Sequence, residues 1–288
     1  MKTILTVKSA PGGHWVGDGF PVRSLFSYQG DTAAVSPFLL FDFAGPHDFA
    51  PAAAPRGVGA HPHKGFETVS IILEGEVTHG DSTGNGGTIG PGDVQWMTAG
   101  NGIVHQEFHS EAFTRRGGRF HMAQLWVNLK ASDKAAPPAY QSLLARDIPV
   151  VTLPDGAGTV RLIAGDLGAV KGAAKTFTPM MVWDVTLAPG GTASLATPAA
   201  YNTLLVPMAG EATVNGADTL RQADLAIFNH DGDDFTVTSV AGARLLLLAG
   251  EPIAEPVVGY GPFVMNTQAE IRQAITDYNA GRFGVIAD

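Results

Sequence analysis

Two polar pairs constrain this chain more than any other feature. His61 and His63 form the first, in His61-Pro62-His63-Lys64-Gly65-Phe66-Glu67. His105 and Glu107 form the second, in Gly102-Ile103-Val104-His105-Gln106-Glu107. On an extended strand, residues i and i+2 point to the same side, so each pair presents two side chains to one face. Two such strands brought together hold one metal ion inside a β-barrel. Neutral imidazole and carboxylate suit Fe(II), Mn, Ni or Zn. Three histidines and one carboxylate leave about two positions open on an octahedral ion, and open positions separate a catalytic metal from a closed structural one. Six of the nine histidines fall between 61 and 121, more than scatter.

The surrounding pattern is β. From Glu67 to His79, Val69, Ile71, Leu73 and Val77 share one parity, while Thr68, Ser70, Glu74, Glu76 and Thr78 share the other, with Ile72 the exception. His61, His63 and Glu67 have the parity of the apolar set. A regular strand would therefore turn them into the barrel, where polar groups need a partner. On this reading Glu67 competes with Glu107 as the carboxylate ligand. Glu74-Gly75, Asp81 to Gly87, Pro91-Gly92-Asp93 and Gly100-Asn101-Gly102 are turn signals. Phe120 to Leu129 alternates again, with His121 on its apolar side as a core histidine. Trp96 and Met97 read as core, Lys64 as solvated, and His79 and His230 as surface residues at turns.

Gly 36 and Pro 19 in 288 residues fit many turns and an all-β fold. With no cysteine, disulfides, thiolate metal sites and a cysteine nucleophile are excluded. A net charge of -9 argues against direct nucleic-acid binding. The N-terminal apolar run is too short for a signal segment, and no stretch is long enough to span a membrane. A cytoplasmic protein is the expectation. Ala131 to Pro138 has linker composition, which places one domain at 1–132 and another at 139–288. A faint repeat relates the two: Ile71-Ile72-Leu73-Glu74-Gly75-Glu76-Val77-Thr78 resembles Val206-Pro207-Met208-Ala209-Gly210-Glu211-Ala212-Thr213, and Gly92-Asp93-Val94 matches Ala223-Asp224-Leu225. The second copy lacks His-x-His, so it is expected to carry no metal site. Thr267-Gln268-Ala269-Glu270 is a capping box that opens a helix with Ile271, Ile275 and Tyr278 on one face.

The run His61 to Val69, with Gly92-Asp93-Val94-Gln95-Trp96-Met97-Thr98-Ala99-Gly100 and Gly102-Ile103-Val104-His105, resembles the pirin family of the cupin superfamily. The likeness continues through Gln124 to Leu129 and Tyr140-Gln141. It resumes at Gly250-Glu251-Pro252-Ile253 and Gly261 to Asn266, so it spans most of the chain. The richness in alanine and glycine fits a bacterial member. The resemblance implies a bicupin of two face-to-face antiparallel β-barrels with a short C-terminal helix and metal only in the first barrel. It implies His61, His63, His105 and Glu107 as ligands and Fe(2+) as the usual metal, one per chain, with other divalent metals possible. General cupin barrels take a glutamate a few residues after His-x-His, where Glu67 stands. The pirin pattern instead leaves Glu67 beside the site. General cupins also carry an asparagine four residues after the later histidine, where this chain has His109.

The implied activity is that of a quercetin 2,3-dioxygenase, which opens a flavonol ring with dioxygen. In that role Glu107 is both a ligand and the acceptor of the flavonol hydroxyl proton. The alternative that the resemblance implies is an iron-containing, redox-responsive regulatory protein acting through protein partners.

Overall fold

The computed structural model describes residues 1–30 and 32–286. Its strands gather into two compact units, each with a seven-stranded and a four-stranded antiparallel sheet.

The unit that contains the two polar pairs comprises the described parts of Gly12–Thr32, Phe38–Ala145 and Ala254–Asp288. Its large sheet runs in the order Ala139–Leu143, Val94–Thr98, Phe66–Glu74, Gly118–Asn128, Phe38–Phe49, Phe20–Ser27, His14–Val16. Its small sheet runs Gly57–His63, Ile103–His109, Val77–Asp81, Gly86–Ile89. Between them Phe20, Val22, Ala44, Ile72, Met122 and their neighbours form an apolar core. The other unit, Met1–Pro11, Ala33–Pro37 and Arg146–Ile253, repeats the plan around a larger apolar core. The internal repeat holds in register: Ser70 stands opposite Gln95 and, in the second copy, Leu205 opposite Ala226.

The units do not follow a single cut at 133–138. Ala139–Leu143 pairs with Val94–Thr98 as an edge strand of the first unit, and Ile4–Lys8 pairs with Leu225–Phe228 in the second. The segment read as a linker is pinned rather than free. Lys134 is buried, and its Nζ donates to the carbonyls of Gly65 and Val264 and to Asn128 Oδ1. Burial lowers its pKa to about 8. The capped helix forms as the sequence predicts, over Gln268–Asn279, with Thr267 Oγ1 accepting from Glu270 N at 3.2 Å. It belongs to the first unit, not to a C-terminal domain. Ile271 and Ala274 pack with Val104, Phe263, Met265 and Phe283, which braces the back of the strand that bears His105.

Side-chain parity does not carry from His63 to Phe66. His61 and His63 lie on Gly57–His63 in the small sheet, and Glu67 lies on Phe66–Glu74 in the large one. Gly65, at φ +91°, turns the chain from one to the other, and a Cβ there would lie 2.0 Å from the carbonyl oxygen of Val264. The even set of Phe66–Glu74 faces the barrel interior: Ile72 joins the core and Ser70 reaches Glu107. Glu67, Val69 and Ile71 are buried on the opposite side of that sheet.

Candidate metal centre

Register assembles the site. In the small sheet His105 stands opposite His61 on one side and Asp81 on the other, and Glu107 stands opposite Val58 and His79. The rings of His61, His63 and His105 approach within 4.3–4.9 Å of one another, centroid to centroid. Among the described residues, two overlapping groups bring metal-ligating atoms within 4.8 Å of one another: His61, His63 and His105, and His79, His105 and Glu107. The four residues singled out in the sequence thus fall in two groups that share His105, with a fifth residue, His79, in the group of Glu107.

The turn residues around His79 predict a surface position, but it is buried, as is Asp81. A third i, i+2 pair, His79-x-Asp81, was its signal in the sequence. Asp81 accepts from His79 Nε2 at 3.1 Å. Burial of Asp81 opposes ionisation, yet hydrogen bonds from His79 and Thr83 hold its carboxyl below the usual range. An ionised Asp81 only accepts, so His79 carries its proton on Nε2 and offers a lone pair at Nδ1. His105 Nδ1 lies 3.3 Å from His79 Nδ1 and donates to it, and Gln95 Nε2 approaches the same nitrogen at 3.3 Å. This leaves the lone pair of His105 on Nε2, an atom that is buried without a hydrogen-bond partner.

His63 Nδ1 is likewise buried and unpartnered. His61 Nδ1 donates to the Gly59 carbonyl at 2.8 Å, which leaves its Nε2 lone pair free. Burial first, and neighbouring histidines second, hold His63 and His105 well below the ordinary histidine pKa, in the neutral form that binds metal. Orphaned buried nitrogens are costly unless something completes them, and a cation would complete them here. Glu107 accepts from three neutral donors: Ser70 Oγ and Gln95 Nε2 at Oε1, both 3.3 Å, and Gln124 Nε2 at Oε2, 3.1 Å. Glu67 instead accepts from Thr98 Oγ1 at 2.7 Å, away from this cluster, and burial raises its pKa to about 7.

His61, His63 and Glu107 line a cavity of about 440 Å³ whose walls are otherwise mostly apolar. Lys64, expected in solvent, is buried next to His63 and donates to the carbonyl and side chain of Asn101. His109 sits among Phe20, Phe49, Phe113 and Phe120 and donates to the Gly19 carbonyl at 2.9 Å, which is a packing role. His121, Trp96 and Met97 are buried, as the sequence indicated.

Two cupin units in one chain, one with a histidine-rich cavity, define a bicupin. The Pirin family profile matches residues 19–127 and the profile of the Pirin C-terminal cupin domain matches 182–284. The chain belongs to the pirin family. A Pseudomonas aeruginosa protein, whose name assigns it provisionally to the quercetin 2,3-dioxygenases, is 53% identical over 98% of this chain and 99% of its own length. Human pirin is 38% identical over 87% of this chain and 83% of that protein. A crystal structure of quercetin 2,3-dioxygenase from Acinetobacter baumannii matches with a TM-score of 0.96 and 49% identity, covering 100% of both chains. A bacterial pirin from Escherichia coli, solved in complex with nickel(II), shares the fold with a TM-score of 0.65 at 23% identity. It covers 86% of this chain and 99% of that one.

Proposed function

We propose that this protein is a metal-dependent dioxygenase of the quercetin 2,3-dioxygenase type, holding one iron per chain through His61, His63, His105 and Glu107. The observation that carries the reading is the set of histidine nitrogens left without partners beside an apolar cavity of about 440 Å³. That volume lies in the range of small-molecule sites, and its apolar walls suit a flat aromatic substrate. The names of the Pseudomonas and Acinetobacter relatives support the same substrate class.

When bound, the metal supplies Lewis acidity and a redox-active centre for dioxygen chemistry. The protein's own residues do the rest. Glu107 takes the proton of the flavonol 3-hydroxyl, and Ser70, Gln95 and Gln124 hold its carboxylate in place for that transfer. Asp81 and His79 fix the tautomer of His105. The apolar wall keeps bulk water from the reacting ring.

The test is aerobic incubation of iron-loaded protein with quercetin. Loss of the flavonol absorbance with release of carbon monoxide is expected. Quercetin left intact by protein that still holds its metal would reject the reading.

A further inference from the structure

Three neighbouring strands of the large sheet, Phe20–Ser27, Phe38–Phe49 and Gly118–Asn128, build one wall of the cavity from their even-numbered residues. Two rungs of that wall are apolar: Val22, Ala44 and Met122 stand in register, as do Leu40 and Trp126. Between them runs one polar rung, Ser24 opposite Asp42 opposite Gln124, which continues through Ser70 to Gln95. Gln124, Ser70 and Gln95 all serve Glu107. Asp42 does not appear among the donors and acceptors around Glu107. It lines the cavity at 7% exposure, with Ser24 Oγ donating to its Oδ1 at 2.5 Å.

The fold does not require polar residues there. The equivalent rung of the other unit is Leu162, Trp183, Leu247, Leu205 and Ala226, all within its apolar core. Taking a carboxylate into an apolar wall is unfavourable. Burial pushes the Asp42 carboxyl above its usual pKa, and the Ser24 hydrogen bond and the nearby His14 oppose that only in part. A hydroxyl-bearing ligand would add a second donor to this carboxylate beside Ser24.

We propose that Asp42 determines substrate specificity, accepting a hydrogen bond from a second hydroxyl of a polyhydroxylated aromatic substrate whose reacting hydroxyl lies at the His61, His63 and Glu107 end of the same cavity. The proposal rests on the flavonol reading and narrows it: the preferred substrate carries ring hydroxyls besides the reacting one. A buried site built to pair a hydroxyl discriminates against an analogue that lacks it, because the polar group is then left unpaired.

The experiment measures binding of quercetin and of 3-hydroxyflavone, which lacks the other hydroxyls, to iron-loaded protein under nitrogen by fluorescence quenching. Wild type, Asp42→Asn and Asp42→Leu are compared, with metal content and melting temperature as folding controls. Wild type is expected to prefer quercetin. Asp42→Asn should bind quercetin roughly tenfold or more weakly, the loss of one charge-assisted hydrogen bond, and 3-hydroxyflavone about as well as wild type. Asp42→Leu should reverse the preference. Variants that bind both ligands like wild type, or that lose both equally, overturn the proposal. Wild type that binds neither overturns it together with the dioxygenase reading. Hydroxyl-dependent binding without ring opening in air would reject the dioxygenase reading alone.

Discussion

Gln124 donates from Nε2 to Oε2 of Glu107 at 3.1 Å, reaching across the barrel from the large sheet to the small one. Glu107 thereby has both oxygens engaged, with Ser70 and Gln95 sharing the other. Loss of a residue that orients a metal-binding carboxylate costs roughly 10–100-fold in metal affinity. Gln124→Leu keeps the bulk, fits the apolar wall and removes the donor. Iron affinity is expected to fall by roughly tenfold, with little change in melting temperature of the metal-free protein. Competition with a chelator of known affinity measures it.

Asp81 stands two steps behind His105 in a hydrogen-bonded chain. Its carboxylate holds the proton of His79 on Nε2, and His79 Nδ1 in turn accepts a hydrogen bond from His105 Nδ1. Asp81→Asn is close in shape but can present an amide donor to His79, which favours the other tautomer and places two donors face to face at His105. Metal affinity should drop by roughly 10–100-fold with the fold retained. An unchanged affinity would show that the Asp81, His79 and His105 chain does not orient the ligand.

Glu67 carries a pH signature of its own. Burial raises its folded pKa from 4.5 to about 7. A carboxyl raised on folding contributes stability that is fully present below the unfolded pKa and lost as pH rises through the folded one. Wild type should therefore weaken relative to Glu67→Gln as pH goes from 5 to 8, by on the order of 2 kcal/mol. Denaturant melts of both proteins at the two pH values check this. A wild-type-to-variant difference that is the same at both would refute it, and retained iron in Glu67→Gln would separate it from the ligand set.

Gly65 is where the chain passes from the sheet of His63 to the sheet of Phe66. At φ +91°, with a carbonyl oxygen 2.0 Å from where a Cβ would lie, it has no room for a side chain. Gly65→Ala should cost about 2 kcal/mol or more in stability, read as a lowered thermal midpoint. Weaker metal retention should accompany it, since His63 is two residues away.

The two i, i+2 pairs, the turns around Gly75, Gly92 and Gly102, the repeat and the capped helix were legible because each follows from local geometry. The direction in which side chains point was not. Val69 and Ser70 are both buried, on opposite sides of one sheet, so apolar alternation could not say which side holds the site. Carrying parity from His63 to Glu67 ignored the change of sheet at Gly65. His79 escaped because turn residues flank it, and its burial depends on the pairing of Val77–Asp81 with Ile103–His109. The exchange of edge strands and the packing of Gln268–Asn279 in the first unit are long-range outcomes that no local pattern encodes.

The measurement that bears most directly on the account is iron stoichiometry. Protein reconstituted anaerobically with Fe(II), freed of excess metal and analysed by elemental mass spectrometry should hold about one iron per chain, with His63→Ala and His105→Ala retaining almost none. Iron bound at the wild-type level by both variants, or absent from the wild type, would contradict a metal centre built on these histidines.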